Sequence, residues 1–167
     1  MRKKIDYDSV LAKPSEAGTR GKSAEKLMRE ELEELAKAAN LDYERLYDAR
    51  SSRGTISVPQ TGDFALYYRR RAVFLEVKEV KHGFRLPLKN LGSDQIARLK
   101  KRRAAGCMGV VAIRFMPADV WRFIDIAEIE PIRTGSWDFS KYPVATLQEG
   151  MRAILNTIDE FNAGLKP

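Results

Sequence analysis

The feature that most constrains this chain is an apolar run that carries two charges on one of its sides. Ala72-Val73-Phe74-Leu75 continues into Glu76-Val77-Lys78-Glu79-Val80, and its β-branched and aromatic content predicts a strand over residues 72–80. Residues two apart on a strand point to the same side, so Glu76 and Lys78 share a face. Charges embedded in such a run cost desolvation free energy unless they are paired or used. Either the two form an ion pair on an edge strand, or they belong to a site.

The surrounding segments favour a site. Residues 63–68 predict a strand antiparallel to 72–80, with the connection around Arg69-Arg70-Arg71. If the turn occupies Arg69-Arg70 or Arg70-Arg71, Asp63 falls opposite Glu76 or Lys78 and on their face. Arg-Arg is poor chemistry for a primed two-residue turn, which needs positive φ at both positions. Upstream, residues 23–39 fit a helix with Met28, Leu32, Leu35, Ala36 and Ala39 in one stripe, while Lys26, Glu30, Glu33 and Glu34 point away. Glu25 precedes Met28 by three positions and Leu32 by seven, which puts it at the N-terminal end of the buried stripe.

The rest of the chain predicts a short strand within 41–47, an exposed polar and basic excursion over 48–62, a helix over 94–105 with basic outer positions, strands over 108–115 and 120–126, and a final helix over 146–161. Strands flanked by helices make an α/β sandwich around a mixed sheet. Residues 1–20 contain Pro14, Ser15 and Gly18 without periodicity and read as a flexible basic arm, leaving residues 21–167 as a single domain. No apolar stretch is long enough for a bilayer, and the N-terminal charges lack a hydrophobic segment behind them, so an intracellular location is expected.

Composition narrows the chemistry. One cysteine and one histidine leave no set for structural zinc, so any metal has to be held by oxygen. Cys107, just before an apolar strand, reads as a buried structural thiol, and His82 in Lys81-His82-Gly83 gives no sign of a general base. A net charge of +7 favours a polyanionic partner. The basic residues are grouped at Arg2, Lys3, Lys4, Arg20 and Lys22, at Arg69-Arg70-Arg71, and at Arg98 with Lys100-Lys101-Arg102-Arg103. Gly21-Lys22-Ser23 is not a phosphate loop, because Glu16 stands where that motif needs its first glycine. Trp121 and Phe123 read as core rather than as base-stacking residues.

Asp63 followed by Glu76-Val77-Lys78 resembles the PD-(D/E)XK nuclease signature, with Gly62 in place of the proline. Gly21-Lys22-Ser23-Ala24-Glu25 is similar to the Gly-Lys-Ser-x-Glu opening of RecU-type Holliday-junction resolvases. Leu86-Pro87-Leu88-Lys89-Asn90 with Asp94-Gln95-Ile96 resembles the stretch after their catalytic strand. The resemblance implies a restriction-endonuclease-like mixed β-sheet flanked by helices, in a homodimeric endonuclease of a bacterial or phage-infected cytoplasm that nicks four-way DNA junctions symmetrically. It implies Mg²⁺ as cofactor, with Mn²⁺ as a substitute, held by Asp63, Glu76, the Val77 carbonyl and Glu25. Glu25, Asp63, Glu76 and Lys78 would be the catalytic set and Gln95 a supporting polar group. DNA contacts are expected from Lys22, Arg50, Arg53, Arg69, Arg70, Lys89, Arg98 and Lys101. Residues 48–62 occupy the place of a stalk that those proteins project into the junction, in shorter form.

Two other readings stay open on the residues alone. The same nuclease core could act on linear duplex or flap DNA, since a shared site defines the reaction and the surrounding surface defines the substrate. The acid cluster could instead be structural, in a DNA-binding protein without catalysis.

Overall fold

The computed structural model describes residues 23–46, 61–116 and 118–164. The arm at 1–20, Gly21, Lys22 and most of the excursion at 48–62, with Arg50 and Arg53, lie outside the described residues. Helix α1 spans Ala24–Ala38, followed by strands β1 (Leu41–Arg45), β2 (Phe64–Tyr68), β3 (Arg71–Val80) and β4 (Arg85–Pro87). Helix α2 spans Ser93–Ala104, then come β5 (Met108–Phe115), β6 (Val120–Asp125), β7 (Ser136–Asp138) and α3 (Leu147–Asn162). Short 3₁₀ turns occupy Leu88–Asn90 and Ile126–Glu128.

A five-stranded sheet in the order β1-β2-β3-β5-β6 forms the middle layer. β1, β2 and β3 run antiparallel in sequence, β5 returns parallel to β3 through the α2 crossover, and β6 folds back antiparallel on β5. β5, paired on both edges, is buried along nearly its whole length, which accounts for its near-continuous apolar sequence. The predicted α/β layering is therefore present. Sequence periodicity did not reveal the small second sheet of β4 and β7, because three-residue strands are too short to carry a period.

Alternation along the strands divides the core in two. Phe64, Leu66, Val73, Leu75, Val77, Val110 and Ala112 face one way, against Met28, Leu32 and Leu35 of α1 and Met151, Ile154, Leu155 and Ile158 of α3. Phe74, Val80, Val111, Ile113 and Phe115 face the other way, against Ile96 and Leu99 of α2 and the Leu86, Leu91 and Trp137 side chains. Trp121 is buried in the first core, as expected, and Phe123 packs at its margin. A Cβ at Gly150 would lie 1.9 Å from the Phe123 ring, so α3 can sit this close to β6 only with glycine there.

Helix ends follow local capping chemistry. The Ser23 hydroxyl accepts from the Lys26 N–H at 3.3 Å, with Glu25 in the first turn and Lys37 in the last. At α3, Thr146 and Glu149 cap each other reciprocally at 3.2 and 2.8 Å. Among the described residues no helix is long and apolar enough to cross a membrane.

Candidate active site

The β2–β3 hairpin sets the geometry. Its turn is Arg69-Arg70, with φ of 46° and 67°, and the register Tyr68↔Arg71 to Phe64↔Leu75 carries Asp63 opposite Glu76. The expected primed turn forms despite its unfavourable residues. Arg69 is held there by its ion pair to Asp159 at 2.7 Å, by the Tyr68 ring at 5.2 Å and by Asn162 Nδ2 donating to its carbonyl at 3.3 Å.

Just before β2 the backbone closes onto β3. The Asp63 N–H donates to the Leu75 carbonyl at 2.7 Å, and the Asp63 carbonyl accepts from the Leu46 N–H at 2.8 Å. Gly62 has a φ of +87°, and a Cβ there would lie 2.7 Å from the Leu75 oxygen. Glycine ahead of the acid therefore has a steric reason: only a residue without a side chain brings the chain this near β3 in this conformation.

Asp63 Oδ2 accepts from the Val77 N–H at 2.6 Å. The N–H and C=O of one strand residue leave on the same edge, so the Val77 carbonyl is directed to the side where Asp63 lies. Glu76 is 1% exposed. Its Oε1 meets Lys78 Nζ at 2.5 Å and accepts from Gln95 Nε2, also at 2.5 Å. Gln95 Oε1 in turn accepts from the Gly92 N–H at 3.0 Å. One amide side chain thus caps the start of α2 and clamps Glu76.

Burial, and after it the neighbouring Glu76 charge, push the Asp63 carboxyl up to about 7 from an ordinary 3.8. The Val77 N–H and Lys78 oppose the rise, and Glu25 adds a smaller upward push. A buried ion pair is a poor source of stability compared with apolar packing of equal volume. Two acids facing each other over one lysine are therefore more readily explained by use than by structure.

Whether a divalent cation suits this place follows from the donors. The set is oxygen only and rich in negative charge, with the Asp63 carboxylate disfavoured by burial and then by the neighbouring Glu76, which matches a hard cation such as Mg²⁺. It matches a smaller ligand set than the four oxygens expected. Among the described residues no group of three or more acid, histidine or cysteine side chains is placed to hold one ion. Glu25, on the first turn of α1, is half-exposed and pairs with Arg45 at 2.9 Å.

The structure thus brings together Asp63, Glu76, Lys78 and Gln95 and leaves Glu25 beside them. Lys89 and Lys101 are exposed on the 3₁₀ turn and on α2, and Arg98 is half-buried on α2. Arg69 and Arg70 lie at the hairpin tip, at the opposite end of β2 from Asp63. Sequence reasoning missed Glu79, whose Oε2 accepts from the Ala24 N–H at 3.0 Å and lies 3.5 Å from the buried Arg114. That contact ties the first turn of α1, and with it Glu25, to β3. Its signal was alternation: Glu79 has to face away from Glu76 and Lys78, toward the α1 layer.

No family model and no curated protein matches the chain. Among solved structures, Hjc of Archaeoglobus fulgidus, described as a Holliday junction resolvase from an archaeal hyperthermophile, superimposes with a TM-score of 0.54 and 24% sequence identity. The match covers 77% of this chain and 98% of that one. At that identity the likeness shows the fold, a restriction-endonuclease-like mixed sheet flanked by helices.

Proposed function

We propose that the chain is a divalent-metal-dependent endodeoxyribonuclease that resolves four-way DNA junctions by paired nicks. The observation that carries this reading is the meeting of Asp63, Glu76, Lys78 and Gln95 around one point at the β2–β3 pairing. The resolvase named as a fold neighbour and the net charge of +7 agree with it.

In this reading Asp63, Glu76 and the Val77 carbonyl hold Mg²⁺, with Mn²⁺ as a substitute. The cation, when bound, would neutralise charge gathering on the scissile phosphate and help the departing 3′ oxygen. Lys78 orients an attacking water beside the phosphate and offsets its charge. Gln95 keeps the Glu76 carboxylate from rotating out of place. Glu25 is the outermost member and contributes only if its carboxylate leaves Arg45, so its substitution should cost less than that of Asp63 or Glu76.

A resolvase has to cut two opposed strands, which calls for a two-fold assembly with one site per copy. Scattering that shows a strict monomer even on DNA would contradict that part. The central test compares labelled four-way, flap and linear DNA in Mg²⁺ and in EDTA. Cutting of the four-way substrate in Mg²⁺ alone, lost in Asp63→Asn and Glu76→Gln with binding retained and only weakened in Glu25→Gln, is the expected result. Equal cutting of linear duplex would move the assignment to a repair or restriction nuclease. Intact DNA under every condition would leave a non-catalytic binding protein.

A further inference from the structure

The face of the sheet that carries Glu76 and Lys78 holds a second cation that the proposed chemistry does not use. The register places Lys78 beside Ile113 and Ile113 beside Arg122, in one row across β3, β5 and β6. At about 4.8 Å per strand, the Arg122 backbone stands about 10 Å from that of Lys78. Arg122 is 7% exposed, yet its Nε and Nη1 are buried without a hydrogen-bond partner among the described residues. Buried guanidinium donors left unmatched are costly; the acid near enough to feel this charge, Asp138, is itself paired with Arg85 at 3.2 Å.

The guanidinium lies 5.2 Å from the Phe115 ring centroid and 5.9 Å from that of Phe84. Phe84 is 47% exposed although its ring also packs on Phe115 at 5.6 Å. It belongs to the turn Lys81-His82-Gly83-Phe84-Arg85, every residue of which is exposed, directly after the candidate catalytic strand. An exposed ring steadied from below and flanked by cations is a stacking platform for a base. A lone ring is too small to be a protein-docking patch; of the neighbouring cations Arg85 is held by Asp138 and Ser136, while Lys81 and Arg122 suit a polyanion.

We propose that Phe84 receives one unpaired nucleotide of bound DNA, its base stacked on the exposed ring, with the buried Arg122 guanidinium beneath the ring supplying positive charge toward the adjoining phosphate. The inference rests on the reading of the site as DNA-cutting and specifies its substrate: a strand with a base free to leave its stack, as at a branch point, rather than continuous duplex. The bases of an intact duplex offer no open face to the ring.

The full chain in EDTA, mixed with four-way and flap DNA carrying 2-aminopurine at successive positions around the branch, reports stacking without cutting. Quenching is expected at one or two positions, lost in Phe84→Ala, retained in Phe84→Trp, and accompanied by about tenfold weaker binding in Phe84→Ala. Arg122→Gln should keep the quenching and reduce the salt slope of binding by about one ion. Binding without quenching at any position, or quenching indifferent to Phe84→Ala, overturns the proposal. Quenching that depends on Phe84 in a protein that never cuts DNA in Mg²⁺ would uphold this site while the nuclease reading fails, and no DNA binding at all would remove both.

Discussion

Asp63 binds its proton more tightly in the folded chain than in the unfolded one, about 7 against 3.8. Between those values the native state holds a proton that the unfolded state has lost, so this group's stabilising contribution is complete below 3.8 and disappears as pH rises through 7. Asparagine stays neutral and can still accept from the Val77 N–H. In EDTA, the melting temperature of Asp63→Asn should match that of the parent in acid and exceed it increasingly up to neutral pH. A constant difference across that range would show that Asp63 is not the titrating group. Much of this site was legible residue by residue: strand period two puts Glu76 and Lys78 together, and hairpin register adds Asp63. Gln95 could be placed near Glu76, but its double role came from the Gly92 N–H, which a sequence does not display. Glu25 was legible as to helix and turn only. Whether its carboxylate meets Arg45 or the other acids is a rotamer choice, and Arg122 was read only as a strand residue alternating with Trp121 and Phe123.

At the scale of elements, the Arg69-Arg70 turn opposes local preference to tertiary contact. Two non-glycine residues in the left-handed region cost about 1–2 kcal/mol each, whereas a half-exposed ion pair such as Arg69–Asp159 returns about 1 kcal/mol at most. Replacement by Asn-Gly should therefore raise unfolding free energy by about 1 kcal/mol in urea titration, despite the lost contact to Asp159. A drop instead would mean that the Tyr68 and Asn162 contacts hold the turn more strongly than the strain opposes it. The same variant tests the DNA contacts expected of these arginines. The turn sits at the far end of β2 from Asp63, so unchanged DNA affinity would confine the binding surface to the other end of the sheet. Hairpin register survived the unfavourable turn because Phe64, Leu66 and Tyr68 have to face α1 and α3, and a one-residue slip would turn them all outward. The longer helices and strands were legible for the same reason, since each presents an apolar face with its own period. The β4–β7 pair was not, because its pairing joins segments about fifty residues apart through three-residue strands.

At the scale of the whole molecule, the site has a thermodynamic consequence that does not depend on any substrate. Without a cation, Asp63 and Glu76 repel each other at a largely buried place, and Lys78, paired with Glu76, offsets only part of that repulsion. A ligand that binds the folded chain and not the unfolded one stabilises it by RT ln(1 + [L]/Kd), about 2.7 kcal/mol at a hundredfold excess over Kd. Mg²⁺ or Ca²⁺ should therefore raise the melting temperature, and more strongly at neutral than at acid pH, because below about 7 the cation competes with the proton on Asp63. Asp63→Asn and Glu76→Gln should each abolish the cation response, and both should be more stable than the parent in EDTA if repulsion dominates. Glu25→Gln should retain most of it, since its carboxylate is engaged by Arg45 outside the group. A melting temperature indifferent to divalent ions in the parent would instead leave the acid pair with a structural role. The Glu76–Lys78–Gln95 contacts would then be a buried polar clamp between β3 and α2, and Gln95→Ala should cost stability without touching any cation dependence.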